Sequence, residues 1–201
     1  MRIGIFGGTF DPIHLGHLVI AEQSREQAGL DQVWFVPSAR PPNKLDREIT
    51  SFDKRAEMVQ LAIAGNPAFE LNEIEKDRPG PSFTADTLAD LHRHHPQTEF
   101  HLILGSDCLP EFPSWHEPAR IVSLAKLVVA TRPGWPLCSA EDLRFSLRLP
   151  RKTPLHLQLV QVPQVDFSSR DLRRRIAEGR SVRYFVPSAV LAYIQDKKLY
   201  R

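Results

Sequence analysis

Apolar residues fall in short runs, and between several of the runs they recur at helical spacing. Residues 2–6 (RIGIF) predict a short buried strand. After a glycine-rich turn, LGHLVIAEQSREQA places Leu15, Leu18 and Val19 at helical spacing, Ala21 and Ala28 extend that face, and Gly29 supplies a stop. Residues 33–37 (VWFVP) are β-branched and aromatic and end at Pro, a second strand. A strand, a helix and a strand within about 36 residues form the repeat of a parallel, helix-covered sheet.

The pattern continues downstream. A polar, Pro-rich loop spans 38–50, and a helix capped by Ser51 or Asp53 runs to about Ala64 with Met58, Leu61 and Ala62 inward. FELNEIE reads as a strand. A helix from Ser82 or Thr84 ends before Pro96, and FHLILGSD and KLVVATRPG read as strands running into polar turns. LHLQLVQVP is the last strand, and SSRDLRRRIAEG and PSAVLAYIQDKK close the chain as helices. The expected fold class is α/β: one doubly wound, Rossmann-like parallel sheet with helices on both faces. It spans residues 1–201, with a C-terminal helical part from about 168 to 201.

In such a sheet, ligands lie beyond the carboxyl ends of the strands. GGTFDPIH, PSARPPNK, GSD, TRPG and DFSSRDLR lie there, all rich in Gly, Ser, Arg, Lys or His, so the strand ends converge on an anion site. The whole-chain balance adds less. At 201 residues with 42% hydrophobic and 25% charged residues, the chain can bury a core without metal or disulfide. A net charge of +2 is too small to imply nucleic acid or a membrane surface as partner. Cys108 and Cys138 make no paired motif, no apolar run is long enough to span a bilayer, and a cytoplasmic protein is expected.

GGTFDPIHLGH, residues 7–17, carries the first chemistry. Gly7 and Gly8 allow close backbone approach and positive φ, as a phosphate-cradling turn requires. His14 stands just before the helix and His17 one turn in, so both imidazoles can face an anion at the positive helix end. The spacing is not that of a zinc helix, no cysteine completes a tetrahedral set, and neither standard phosphate-loop glycine pattern is present. The HRHHP cluster, 92–96, reads as a solvated helix end.

GGTFDPIHLGH resembles the signature of the nucleotidyltransferase superfamily, whose H-x-G-H element is matched by His14, Gly16 and His17. DFSSRDLRRRI resembles its C-terminal I-S-S-T-x-x-R element through Ser168, Ser169 and Arg173, with Arg170 in place of the usual Thr. Within the superfamily the chain is most similar to the bacterial nicotinate-nucleotide adenylyltransferases. PPNK, SFDKRAEMV, PSFTADTL, GSD, Trp115-His116, RPG and VLAYIQDKKLYR appear in that family's order over nearly the full length. Asn43 stands where the family commonly has His.

The resemblance implies adenylyl transfer from ATP to nicotinate mononucleotide. It gives His14, His17, Lys44 and Arg173 catalytic roles as phosphate donors. Gly7, Gly8, Thr9, Phe10, Gly105, Asp107, Ser168 and Ser169 join His14, His17 and Arg173 around ATP. Gly8, Thr9, Lys44, Thr84, Trp115, His116 and Arg132 surround nicotinate mononucleotide. The hydroxyls and N–H groups of Ser168 and Ser169 would face an anion, whereas Arg174 and Arg175 read as a solvated basic face. Asp107 would meet a ribose hydroxyl or hydrated Mg²⁺; its plain alternative is a helix N-cap. Mg²⁺ is expected with ATP, held through phosphates and water rather than by a protein metal site. No Asp or Glu is placed to demand an amide, which favours nicotinate over nicotinamide. A homo-oligomer is compatible with the sequence.

Two other readings stay open on sequence. One is a related transferase such as the phosphopantetheine enzyme, which typically has Thr in place of His14 and is shorter. The other is a nucleotide-sensing or RNA-binding module without catalysis, against which His14, His17, Lys44 and Arg173 argue.

Overall fold

The computed structural model describes residues 1–42, 49–131 and 139–201. Its sheet has six strands: β1 (Arg2–Gly8), β2 (Gln32–Pro37), β3 (Phe69–Leu71), β4 (Glu99–Gly105), β5 (Lys126–Thr131) and β6 (Leu157–Gln161). Their spatial order is β3-β2-β1-β4-β5-β6, and every pair is parallel. The order reverses at β1, so the crevice between the carboxyl ends of β1 and β4 is the topological switch point.

Both faces of the sheet are buried, and alternation along the strands sorts residues between them. Ile3, Ile5, Phe100, Leu102, Leu104, Leu127 and Val129 face one side. There they meet α3 (Thr84–His94), α4 (Pro118–Leu124) and α5 (Ala140–Ser146) through Leu88, Ile121 and Leu143. Phe6, Phe35, Ile103, Val128 and Val160 face the other side. They meet α1 (Leu15–Ala28), α2 (Phe52–Ile63), α6 (Ser169–Ala177) and α7 (Ser188–Asp196) through Ile20, Met58, Leu172 and Val190. No described helix is long and apolar enough to cross a membrane.

Helix α1 stops as its sequence predicts, with Gly29 left-handed at φ 61°. Its deepest face is Gly16, Ile20, Ala21 and Ser24, however, and Leu15, Leu18 and Val19 are only half-buried. The FELNEIE strand is shorter than its pattern. After Leu71 the Asn72 side chain accepts from the Ile74 N–H (3.0 Å) and turns the chain away from β2. Helix α4 has just two buried side chains, Ile121 and Val122, too few to leave a periodic signal. Helix α5 begins at a reciprocal Ser139–Asp142 capping box, a legible signal that apolar periodicity alone passes over. The His92–Pro96 cluster is partly packed. His92 Nε2 lies 2.6 Å from the Leu124 carbonyl, with its ring edge-on to Phe100, and His95 meets the Trp34 ring.

Candidate active site

The loop leaving β1 is built differently from a phosphate-cradling glycine turn. Gly7 and Gly8 lie within the strand, and the residue with positive φ is Phe10, at 49°. Gly8 serves clearance instead. A Cβ on Gly8 would come within 2.9 Å of the Phe10 ring, whereas one on Gly7 meets nothing within 4 Å among the described residues. Phe10 is fixed by edge and tilted contacts to Phe6, Phe35 and His17, with centroids 5.1–5.8 Å apart. Its unusual backbone is therefore set by core packing.

His14 is the N-cap of α1 and His17 its third residue. Their rings stack with centroids 3.6 Å apart at 22°. The His14 backbone N–H donates to His17 Nδ1 at 3.2 Å, so Nδ1 holds a lone pair and the ring proton of neutral His17 sits on Nε2. Gly16 makes the stack possible. A Cβ there would stand 3.1 Å from the His14 ring and 3.2 Å from Val165, so the spacing H-x-G-H leaves room for both the imidazole and the 162–167 loop. His14, Gly16, Thr131 and residues 162–167 line a cleft of about 150 Å³ at this helix start.

Helix α6 points its N-terminus at the same region. The Ser168 hydroxyl caps it, accepting from Asp171 N (3.2 Å) and donating to Asp171 Oδ2 (2.7 Å). The Ser169 hydroxyl donates to the Pro12 carbonyl at 2.9 Å. Each hydroxyl has one proton, and both are engaged, so an anion here would meet the backbone N–H groups of α6 rather than these side chains. Arg173 donates one N–H to the Asp11 carbonyl at 2.6 Å. Arg175 is not a solvated cation: it is half-buried, donates to the Ser181 carbonyl, and lies over the Phe185 ring at 5.0 Å. Arg174 is exposed and pairs with Asp171.

A second, larger cavity of about 750 Å³ is lined by Gly7, Gly8 and Thr9 at the end of β1. Thr84, the first residue of α3, lines it with Phe83, Trp115 and His116. His116 stacks on Phe83 with centroids 4.2 Å apart, and Trp115 leans on Phe112. Two carboxylates line the cavity as well, Glu75 and Glu111. Buried Glu75 has both oxygens engaged: Oε2 accepts from the Ala39 N–H (3.2 Å) and Oε1 from the Thr87 hydroxyl (2.5 Å). Fixed in this way, Glu75 holds the walls of the cavity together.

Arg55 is the largest residue the sequence reading overlooked. It is 1% exposed, and its guanidinium donates to the carbonyls of Thr9 (2.7 Å), Ser38 (2.8 Å) and Thr50 (2.8 Å). Burial pushes its pKa down, and nearby Asp11, Tyr200 and Glu75 offset that in part. Asp11 Oδ1 accepts from the Tyr200 hydroxyl at 2.6 Å and Oδ2 from Thr50 N at 3.4 Å. Burial and the adjacent Asp11 push the Tyr200 hydroxyl well above its ordinary pKa, so it stays a donor. SFDKR and KLYR both carry family resemblance, but no periodicity marks Arg55 as an inward residue or Tyr200 as a partner of Asp11.

Asp107 lies in a 3-10 turn, Ser106–Cys108, directly after β4. The N-cap of that turn is Gly105, so the plain helix-cap reading of Asp107 does not hold. Asn43, Lys44, Arg132 and Cys138 lie outside the described residues.

With this geometry in place, the likenesses to known proteins span most or all of the chain. The Cytidylyltransferase-like family matches residues 5–175. A "Probable nicotinate-nucleotide adenylyltransferase" of Thermus thermophilus is 46% identical over 201 residues, covering 100% of each chain. One of the same name from Thermomicrobium roseum is 45% identical, covering 100% of this chain and 92% of its own. A Plasmodium falciparum nicotinic acid mononucleotide adenylyltransferase complexed with NaAD shares the fold, with 22% identity, 99% and 97% coverage and a TM-score of 0.79.

Proposed function

Because this chain belongs to the nicotinate-nucleotide adenylyltransferase family, within the Cytidylyltransferase-like proteins, we propose that it transfers the adenylyl group of ATP to nicotinate mononucleotide. A phosphate oxygen of the mononucleotide attacks the α-phosphorus of ATP. The α–β phosphoanhydride bond breaks, and nicotinate adenine dinucleotide and pyrophosphate leave. The observation that carries this reading is a pair of clefts lined by the β1–α1 segment: a helix-start cleft at His14, and a cavity of about 750 Å³ at Gly7–Thr9.

The nucleophile is already anionic, so the reaction needs positioning and charge stabilisation more than a base. His17 presents Nε2–H, and with His14 it would meet the triphosphate at the α1 start. The N–H groups of α6 and the guanidinium of Arg173 would face it from the other side. Open space over Gly7 leaves room for the α-phosphoryl group to pass close to the backbone. Lys44 keeps the role that resemblance gives it, as a cation for phosphate, Arg132 its place around nicotinate mononucleotide, and Asp107 the role of a ribose or hydrated-metal partner.

The pyridine ring would stack in the aromatic wall of Phe83, Trp115 and His116. The start of α3 offers N–H groups and a positive dipole end to a carboxylate, whereas an amide NH₂ gains nothing from donors. Each oxygen of Glu75 already accepts a bond that holds the cavity wall, from Ala39 N–H and from the Thr87 hydroxyl. A preference for nicotinate follows.

Mg²⁺ belongs to the proposal as a companion of ATP. Asp86, His116 and Glu117 bring three ligand atoms within 4.8 Å of one another, but one is a nitrogen, and the Arg120 guanidinium already sits against both acids. That set does not suit a hard, oxygen-seeking ion, which fits a metal carried by phosphates and water. When bound, Mg²⁺ would neutralise triphosphate charge. A cytoplasmic location goes with the reading.

The test is an acceptor profile. Purified protein with ATP and Mg²⁺ should release pyrophosphate and form dinucleotide with nicotinate mononucleotide at a far higher kcat/KM than with nicotinamide mononucleotide. Equal efficiency refutes the preference, and no dinucleotide with either refutes the activity.

A further inference from the structure

We propose that Arg55 and Tyr200 are positioning residues that set the loop after β1 at the height where the two substrates can react. The inference rests on the adenylyltransferase reading above.

The loop from Thr9 to Pro12 runs from a residue that lines the larger cavity to two residues before His14, which lines the smaller cleft, and four side chains reach it from far along the chain. Arg55, from α2, reaches three segments with one planar group. It holds Thr9 and Ser38, which both line the larger cavity, and Thr50 near the end of the 38–50 loop. Tyr200, one residue from the C-terminus, holds Asp11 Oδ1, while Arg173 and Ser169 hold the carbonyls of Asp11 and Pro12 from α6. The loop is thus tied on its acceptor side by Arg55 and on its helix-start side by the C-terminal part. His14 follows Pro12 by two residues.

In-line transfer requires the attacking oxygen and the α-phosphorus to lie within about 3–3.5 Å and aligned, and a displacement of about 1 Å costs about 10²-fold. Neither Arg55 nor Tyr200 lines either cleft, so their effect passes through the loop. Guanidinium geometry suits the task at position 55. Three carbonyls in different directions need a rigid fork of donors, which an ammonium on a flexible stem does not reproduce.

The experiment uses the full chain with ATP, Mg²⁺ and nicotinate mononucleotide. Tyr200→Phe keeps the ring and loses only the hydroxyl that Asp11 accepts from. It should lower kcat about tenfold or more, with both KM values within about twofold and the protein folded by circular dichroism. Arg55→Lys, which keeps the charge, should lower kcat by about 10²-fold. A merely structural role would lower the melting temperature but not kcat per folded molecule. A folded Tyr200→Phe enzyme with unchanged kcat overturns the proposal, as does a loss confined to the KM of one substrate. If Arg55→Lys does not fold, Tyr200→Phe decides. Turnover by the unaltered chain separates the two readings: without it both fall, whereas normal turnover beside a normal Tyr200→Phe removes the positioning role alone.

Discussion

The backbone N–H of His14 donates to Nδ1 of His17 at 3.2 Å beneath two imidazoles stacked 3.6 Å apart. This bond gives His17 two separable tasks, closing the start of α1 through Nδ1 and presenting a donor through Nε2. Asn at position 17 keeps an acceptor near Nδ1 and lacks the distal nitrogen. His17→Asn should therefore stay within about 1 kcal/mol of the parent in urea unfolding while turnover falls by about 10²-fold. His17→Ala should lose both. Near-normal turnover of a folded His17→Asn protein would remove His17 from the phosphate site.

The two glycines that end β1 should answer differently to the same substitution. Gly8→Ala drives a methyl into the Phe10 ring, which is wedged among Phe6, Phe35 and His17 and cannot step aside. A loss of about 1–3 kcal/mol is expected from such overpacking. Gly7→Ala meets no atom of the described residues within 4 Å, so stability should hold while kcat falls, because its methyl would fill the space proposed for the phosphoryl group. Thermal melts and steady-state rates on the two variants check this. Equal turnover in Gly7→Ala and the parent would mean that no substrate passes there.

Trp115 lines the larger cavity, the proposed acceptor site, and is absent from the cleft at His14. Trp115→Ala should raise KM for nicotinate mononucleotide by about tenfold or more, the weight of a lost aromatic contact plus burial, and leave KM for ATP within about twofold. A matching rise for both nucleotides would show that the cavity is not selective for the pyridine substrate.

At the opposite end of the sheet, His101 is buried beside Glu99, Lys126 and Arg2. Burial pushes its pKa down, outweighing the hydrogen bond from Nε2 to Glu99 at 2.8 Å. Since the folded value lies below the unfolded one, near 6.5, the unfolded chain binds the proton first. The stability from neutral His101 is complete above about pH 6.5 and is lost as pH falls below it. Glu99, held near 2 by Lys126 and His101, adds a second loss between its ordinary value and about 2, much reduced by solvent. Melting temperature should decline from pH 7 to 5. In His101→Gln that decline should be smaller; an identical decline would rule out His101 as its source.

Much of this protein follows from local pattern. The apolar runs and the helical spacings between them specify the parallel sheet with its flanking helices. The strand, the two glycines and the two histidines at the helix start are legible in the same way, because these local preferences all agree with the final fold. Local pattern also places Gly29 and the helix that Ser168 caps. The tertiary structure decided what the site residues have to spare. It moved the left-handed backbone from the glycines to Phe10, since ring packing sets that conformation. It engaged the hydroxyls of Ser168 and Ser169 in caps and ties, and placed Glu75 in a cavity wall. Arg55 and Tyr200 became visible only when residues 46 and 189 positions away in the chain arrived as partners. A buried guanidinium is tolerable where carbonyls from separate loops surround it, and sequence periodicity holds no record of such an encounter.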